Sequence, residues 1–179
     1  MAAILNRTVS DVYGDGFNYK DNLYNTDFTF CKKFLIFCSS EYSTENLLFI
    51  LVCNKYAKSG APSWVDFNTI YNEFVKPPLE RGGPGGAPRQ VNISDLLVAP
   101  IKLLAGKNGS DFDRRDISNL LIFEAASDEI RKVVNQDTLM RFKQAKFVKA
   151  FVLDDKAKKD CYDSAIACLK NYGINLLGA

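Results

Sequence analysis

The chain has no histidine among its 179 residues. This removes the commonest general base, the usual partner of an activated nucleophile, and the commonest metal ligand. Carboxylates and lysines remain, but no catalytic signature assembles them. Long apolar runs are also missing. The longest, 47–53, covers 7 residues, far short of the roughly 20 that a membrane-crossing helix needs. Neither sign of charge dominates. The 23 basic and 21 acidic side chains leave a net +2, too little for a nucleic-acid binder without a local basic stripe. Residues 1–7 lack the basic leader and apolar stretch of a signal peptide. Ala2 breaks the myristoylation pattern, and residues 174–179 carry no prenylation box. The 5 cysteines, at 31, 38, 53, 161 and 168, are odd in number and nowhere spaced as CxxC. They read as reduced thiols. Cys31 and Cys38 are placed as small buried apolar residues. These absences lead us to expect a soluble cytoplasmic chain, at most peripherally attached to a membrane, with no cofactor and no metal.

What is present is helical patterning. Hydrophobic residues make up 47% and charged residues 25% of the chain, an ordinary globular composition. Residues 1–23 are polar and aromatic, with a turn at Asp15-Gly16, and read as an irregular lead-in with room for one short helix. From Asn25-Thr26-Asp27 onward, Phe30, Phe34, Phe37 and Cys38 share one helical face. A polar break follows, where Ser43 or Thr44 is placed to cap the next helix. That helix, from Leu47 to Lys58, is apolar all round at its start and so belongs in the core. Ser63 and Asp66 form a capping box. Behind them Phe67, Ile70, Tyr71, Phe74 and Val75 give the cleanest amphipathic face, stopped by Pro77-Pro78. Residues 79–88 are a Gly/Pro-rich loop. Ser94 caps a helix ending at Gly106. One helix is predicted over 114–135 and another through Phe142, Phe147, Ala150 and Phe151. A last helix is predicted over 155–171. No segment alternates with period two, so the fold class is all-α, a helical bundle.

Taken singly, the polar clusters have plain readings. The Gly-rich loop follows a helix and two prolines and lacks the Gly-Lys-Ser/Thr ending of a phosphate cradle. Asn108, Asp111 and Asp113 lack the terminal glutamate of a calcium loop. The C-terminal lysines are interleaved with Asp154, Asp155, Asp160 and Asp163, as on a solvated helix face. Asp137 and Arg141 are an i, i+4 pair at a helix start, with Asp137 as a natural cap. Glu45 and Asn46 suit a helix N-terminus.

Their order and spacing are more specific. The stretch Phe34-Leu35, then Glu41-Tyr42-Ser43-Thr44-Glu45-Asn46, then an apolar helix with Phe49 resembles the signature of the regulator of G-protein signalling (RGS) domain. Downstream, Ile70-Tyr71-Asn72-Glu73-Phe74, Val91-Asn92-Ile93, and Phe123 through Asp137 to Arg141-Phe142 and Phe147 look like further motifs of that family, in order. The resemblance covers about residues 24–153, leaving 1–23 as lead-in and 154–179 as a helical extension.

The resemblance implies an RGS-like bundle of about nine helices that binds the GTP-bound Gα subunit of a heterotrimeric G protein and accelerates its GTP hydrolysis. Such a domain is not itself an enzyme, because Gα carries its own catalytic Arg and water-orienting Gln. It needs only to hold the Gα switch segments in the hydrolysis-competent arrangement. The implied contact residues are Glu41, Tyr42, Ser43, Glu45, Asn46, Asn92, Val133, Asp137 and Arg141. Asn92 would fix the catalytic Gln, since an amide both donates and accepts. Arg141 would anchor Asp137, whose carboxylate would receive switch N–H groups. The domain is expected to act as a monomer and, as an attenuator of signalling, to be recruited to the inner face of the plasma membrane. The chain departs from the family pattern at Val133 (commonly Leu), Ile50 (frequently Trp) and Asn54 (frequently Glu). It is also longer before Asn92 and between Ser94 and Phe123. These departures imply an alternative: an RGS-like scaffold that binds a signalling partner without activating a GTPase.

Overall fold

Helices supply every extended element in the computed structural model, which describes residues 7–14, 18–19, 28–77, 86–107, 109–147 and 149–176. The elements are α1 (Val9–Tyr13), α2 (Phe28–Ser40), α3 (Glu45–Lys58), α4 (Trp64–Ile70), a π-helical turn (Tyr71–Val75), α5 (Asp95–Ala105), α6 (Ile117–Leu120), α7 (Glu124–Gln136), α8 (Thr138–Gln144) and α9 (Lys156–Asn171). The fold is all-α. Among the described residues 7 helices are substantial, fewer than the nine implied by the resemblance, because α1 and α6 are single turns. Strand-type pairing is limited there to an isolated antiparallel bridge between Thr8 and Lys146. None of the described helices is long and apolar enough to cross a membrane. The expected turn at Asp15-Gly16, the helix opening at 25–27, Pro78, Asn108 and most of the Gly/Pro loop (79–85 of 79–88) lie outside the described residues.

The chain divides into two units, Met1–Leu48 with Val133–Ala179, and Phe49–Lys132. In the first, α2 packs against α9 and α8, and α1 packs against α8. Phe142 is fully buried at its centre. Its ring lies 5.1 Å from Phe34, 5.2 Å from Phe37, 5.7 Å from Phe30 and 5.8 Å from Phe151, centroid to centroid. Edge-to-face contacts of this kind add to the burial of each ring. In the second unit Phe67 is the hub, stacked on Trp64 at 5.3 Å and on Phe123 at 5.4 Å. The apolar start of α3 is buried as its pattern requires. Ile50, where the family frequently has Trp, is wholly enclosed. Asn54, where Glu is frequent, accepts a hydrogen bond from Arg131.

The capping box at α4 forms as read. Asp66 N–H donates to Ser63 Oγ at 3.1 Å, and Ser63 N–H donates to the Asp66 carboxylate at 2.7 Å. The same amphipathic face then widens into a π turn, closed by Lys76 N–H on the Tyr71 carbonyl at 2.8 Å. Two expected helices are shorter than their periodicity suggests. The 114–135 pattern breaks at 121–123. Asp113 and Asp116 draw the backbone into local bonds: Arg115 N–H to Asp113 Oδ1 and Ser118 N–H to Asp116 Oδ1, each 2.8 Å. These bonds put the helix start at Ile117, with Asp116 as the N-cap of α6, and Ile117 and Leu121 end exposed. Phe147, Ala150 and Phe151 are not part of α8, because Ala145 adopts an extended backbone. The lead-in takes the freed groups, with Val9 N–H on the Ala145 carbonyl at 2.9 Å and Phe147 N–H on the Arg7 carbonyl at 2.8 Å.

Removing the central ring of the first unit, by Phe142→Ala, should cost about 3–5 kcal/mol of stability. Urea denaturation of the two proteins measures it.

Candidate functional site

The break between α2 and α3 is a helix-ending motif with an unusual occupant. Ser43 N–H donates to the Cys38 carbonyl at 2.9 Å, and Tyr42 N–H to the Ser39 carbonyl at 3.3 Å. This pair of bonds terminates a helix when the residue between them is left-handed, a position usually held by glycine. Here it is Tyr42, at φ 54°, and an L side chain there costs roughly 1–2 kcal/mol. The ring is 58% exposed. The loop thus pushes a large aromatic into solvent from a strained backbone, a pattern concentrated at functional positions. Of Ser43 and Thr44, the two residues read as candidate caps of α3, Ser43 does not take that role. Its hydroxyl instead lies 3.5 Å from the Cys38 carbonyl, serving the end of α2. Thr44 Oγ1 lies 4.0 Å from Cys161 Sγ on α9. Glu45 and Asn46 form the first turn of α3, both half-buried.

Arg141 ties this loop to the start of α8. Its guanidinium forms a two-pronged contact with Asp137, Nε to Oδ1 at 3.0 Å and Nη2 to Oδ2 at 2.9 Å. Its remaining edge, through Nη1, binds the Glu41 carboxylate. Fork geometry of this kind is stronger and more directional than a single contact. Hydrogen bonding to the Asp137–Glu41 pair raises the Arg141 pKa further, so it stays charged at any ordinary pH. The Arg141 hydrogen bonds hold the Asp137 carboxyl below its usual range. Asp137 occupies the N-cap of α8, yet its side chain makes no cap hydrogen bond. The expected capping role is displaced because both carboxylate oxygens are engaged by Arg141. Val133 sits one turn earlier on α7, where its carbonyl accepts the Asp137 N–H at 3.0 Å. Its side chain is 44% exposed, and Met140 on α8 is exposed to the same degree. All of these residues belong to the first unit.

Asn92 belongs to the second unit and is exposed, in an extended segment leading into α5. Two anchors hold that segment. Upstream, Val91 N–H donates to the Phe74 carbonyl at 2.9 Å, with Val91 itself buried. Downstream, the Glu129 carboxylate receives Ser94 N–H at 2.8 Å and Ser94 Oγ–H at 3.1 Å. The Ser94 hydroxyl therefore makes no cap hydrogen bond at α5, contrary to the expectation. Asn92 lines a groove of about 820 Å³ shared with Tyr71, Lys76, Asp95, Val98 and Lys102.

The structure thus links Glu41 and Tyr42 with Asp137 and Arg141, and sets Asn92 on a separately anchored segment. Two contributors, Glu129 and Met140, were missed from the sequence, and so was the tie of Glu41, itself an expected contact residue, to Arg141. Glu129 lies 35 positions from Ser94 and carries no local signal. Glu41 reaches Arg141 across 100 positions. Met140 does leave a trace, as an apolar residue between Asp137 and Arg141.

The chain is similar to regulators of G-protein signalling. It is 30% identical over 122 residues to the bovine (Bos taurus) regulator of G-protein signaling 5, across 66% of this chain and 57% of that relative. The pig (Sus scrofa) protein of the same name is 29% identical over 122 residues, with the same shares covered. The matched stretch spans 57% of the length of these curated relatives. No family model matches the chain.

Two outcomes check this geometry. Because its folded pKa is lowered, Asp137 contributes stability that is complete above the unfolded carboxylate value, about 3.9. That contribution is lost as pH falls through the lower folded value. In Arg141→Leu the Asp137 titration should return toward 3.9, read by NMR of the carboxyl carbon. Tyr42→Gly should relieve the left-handed strain and raise stability by up to about 1 kcal/mol, read by urea denaturation.

Proposed function

We propose that this chain is an RGS domain that binds the GTP-bound Gα subunit of a heterotrimeric G protein and accelerates its GTP hydrolysis. The observation that carries this reading is the Arg141 network. It holds the Asp137 carboxylate and ties down Glu41, the neighbour of exposed Tyr42, in the unit that also carries the first turn of α3. The similarity to regulator of G-protein signaling 5, whose name states a role in G-protein signalling, supports it.

In this reading the domain adds no reacting group. Glu45 and Asn46, with Tyr42 and Ser43 beside them, grip one Gα switch. Asp137, fixed by Arg141, receives backbone N–H groups from another, with Val133 as its apolar neighbour. Asn92 holds the Gln that orients the attacking water, donating through its amide and accepting through its carbonyl. Acceleration arises because groups held in place before the reaction need not reorganise as charge develops. The domain works at the cytoplasmic side of the plasma membrane, where its partner is anchored.

A second reading is a scaffold that binds a signalling partner without activating hydrolysis. It is favoured by Val133, which offers less apolar contact than the Leu common in the family.

Single-turnover GTP hydrolysis by Gα subunits of each class, with and without the chain, tests the proposal. Acceleration with at least one Gα is expected, and Asn92→Ala should reduce it at least tenfold while leaving the melting temperature unchanged. No acceleration with any Gα would overturn it in favour of the scaffold.

A further inference from the structure

The outer face of α5 is apolar and, among the described residues of its own unit, without a partner. Ile101 and Leu104 bury the inner face, whereas Leu96 is 85% and Leu103 is 72% exposed. Ala99 and Pro100 are exposed between them. With Ala99 and Pro100 between them, the two leucines make a contiguous exposed apolar stripe, the kind of surface that marks an interaction site.

The shape of that face suggests its cover. Ala99, Lys102, Leu103 and Gly106, with Lys107, line a shallow depression of about 530 Å³. The first four stand at i, i+3, i+4 and i+7, the four-residue hole that a side chain of a facing helix enters. It is open because Ala99 and Gly106 are small. Leu96, one turn before it on the same helix, projects as a knob. A helix carrying both a knob and a hole can pair with a second copy of itself about a two-fold axis, each Leu96 entering the other's hole. The antiparallel arrangement this requires also matches the charges. Asp95 flanks the knob and Lys102 flanks the hole, so each Asp95 faces the Lys102 of the other copy. The opposed helix dipoles add to the match.

We propose that α5 is a self-association face, and that two copies of this chain pair through it, antiparallel, with Leu96 seated between Ala99, Lys102, Leu103 and Gly106 of its counterpart. One helix per copy makes a contact smaller than a standard interface. The dimer is therefore weak, and monomer dominates in dilute solution. An anionic membrane fits the face less well, because Asp95 would be carried toward the lipid with Lys102.

Sedimentation velocity of the full chain over a rising concentration series tests this. A reversible monomer–dimer equilibrium is expected, abolished by Leu96→Glu. Asp95→Lys and Lys102→Asp should each weaken self-association at least tenfold by placing like charges opposite one another. Mixing these two variants should restore a dimer containing one of each, since both charge pairs then become complementary. Both charge substitutions lie on exposed positions and keep the test valid should Leu96→Glu fold poorly. A chain that stays monomeric at every soluble concentration would overturn the proposal. So would a dimer indifferent to these substitutions, or a mixture that fails to pair, even if the chain sediments with anionic vesicles.

Discussion

One guanidinium organises the candidate surface of the first unit. Arg141 offers its forked face to Asp137 and its remaining edge to Glu41, joining the end of α2 to the start of α8. An exposed ion pair alone contributes little to stability. Its value here is geometric. Asp137 is held in one orientation with its carboxyl ionised, and the loop carrying Tyr42 is tied down at Glu41. A Lys at this position could not do the same, because a point charge cannot hold two oxygens of one carboxylate in a plane.

The second unit solves a similar problem with a carboxylate. Glu129 on α7 gathers both the N–H and the hydroxyl of Ser94. The extended segment bearing Asn92 is pinned there and, at its other end, by buried Val91. Under the proposed function this stiffness matters more than exposure. An amide that must hold a catalytic side chain in a partner gains by being already in place, since ordering it on binding would reduce the net affinity.

The helices were legible where local chemistry and burial agree. The all-round apolar start of α3 and the Ser63–Asp66 box form as read. So does the i, i+4 contact of Asp137 with Arg141. What was not legible depends on residues far apart or on backbone geometry. Nothing in Glu41-Tyr42-Ser43 announces that Tyr42 occupies a glycine's conformation, or that Glu41 reaches Arg141 across 100 positions. Three capping expectations, at Ser43, Ser94 and Asp137, failed for one reason. Each side chain found other bonds, Ser94 with distant Glu129, Asp137 with Arg141 one turn on, and Ser43 with the nearby Cys38 carbonyl. The merged helix over 114–135 and the overlong α8 failed because spacing registers apolar residues but not the turns that interrupt them.

The most direct test of the switch-gripping role is equilibrium binding of the chain to Gα subunits in the GDP, GTP-analogue and GDP–aluminium fluoride states. Binding should be tightest to the aluminium fluoride state, which mimics the transferring phosphoryl group, and weakest to GDP. Equal binding in all three states, or none in any, would contradict it.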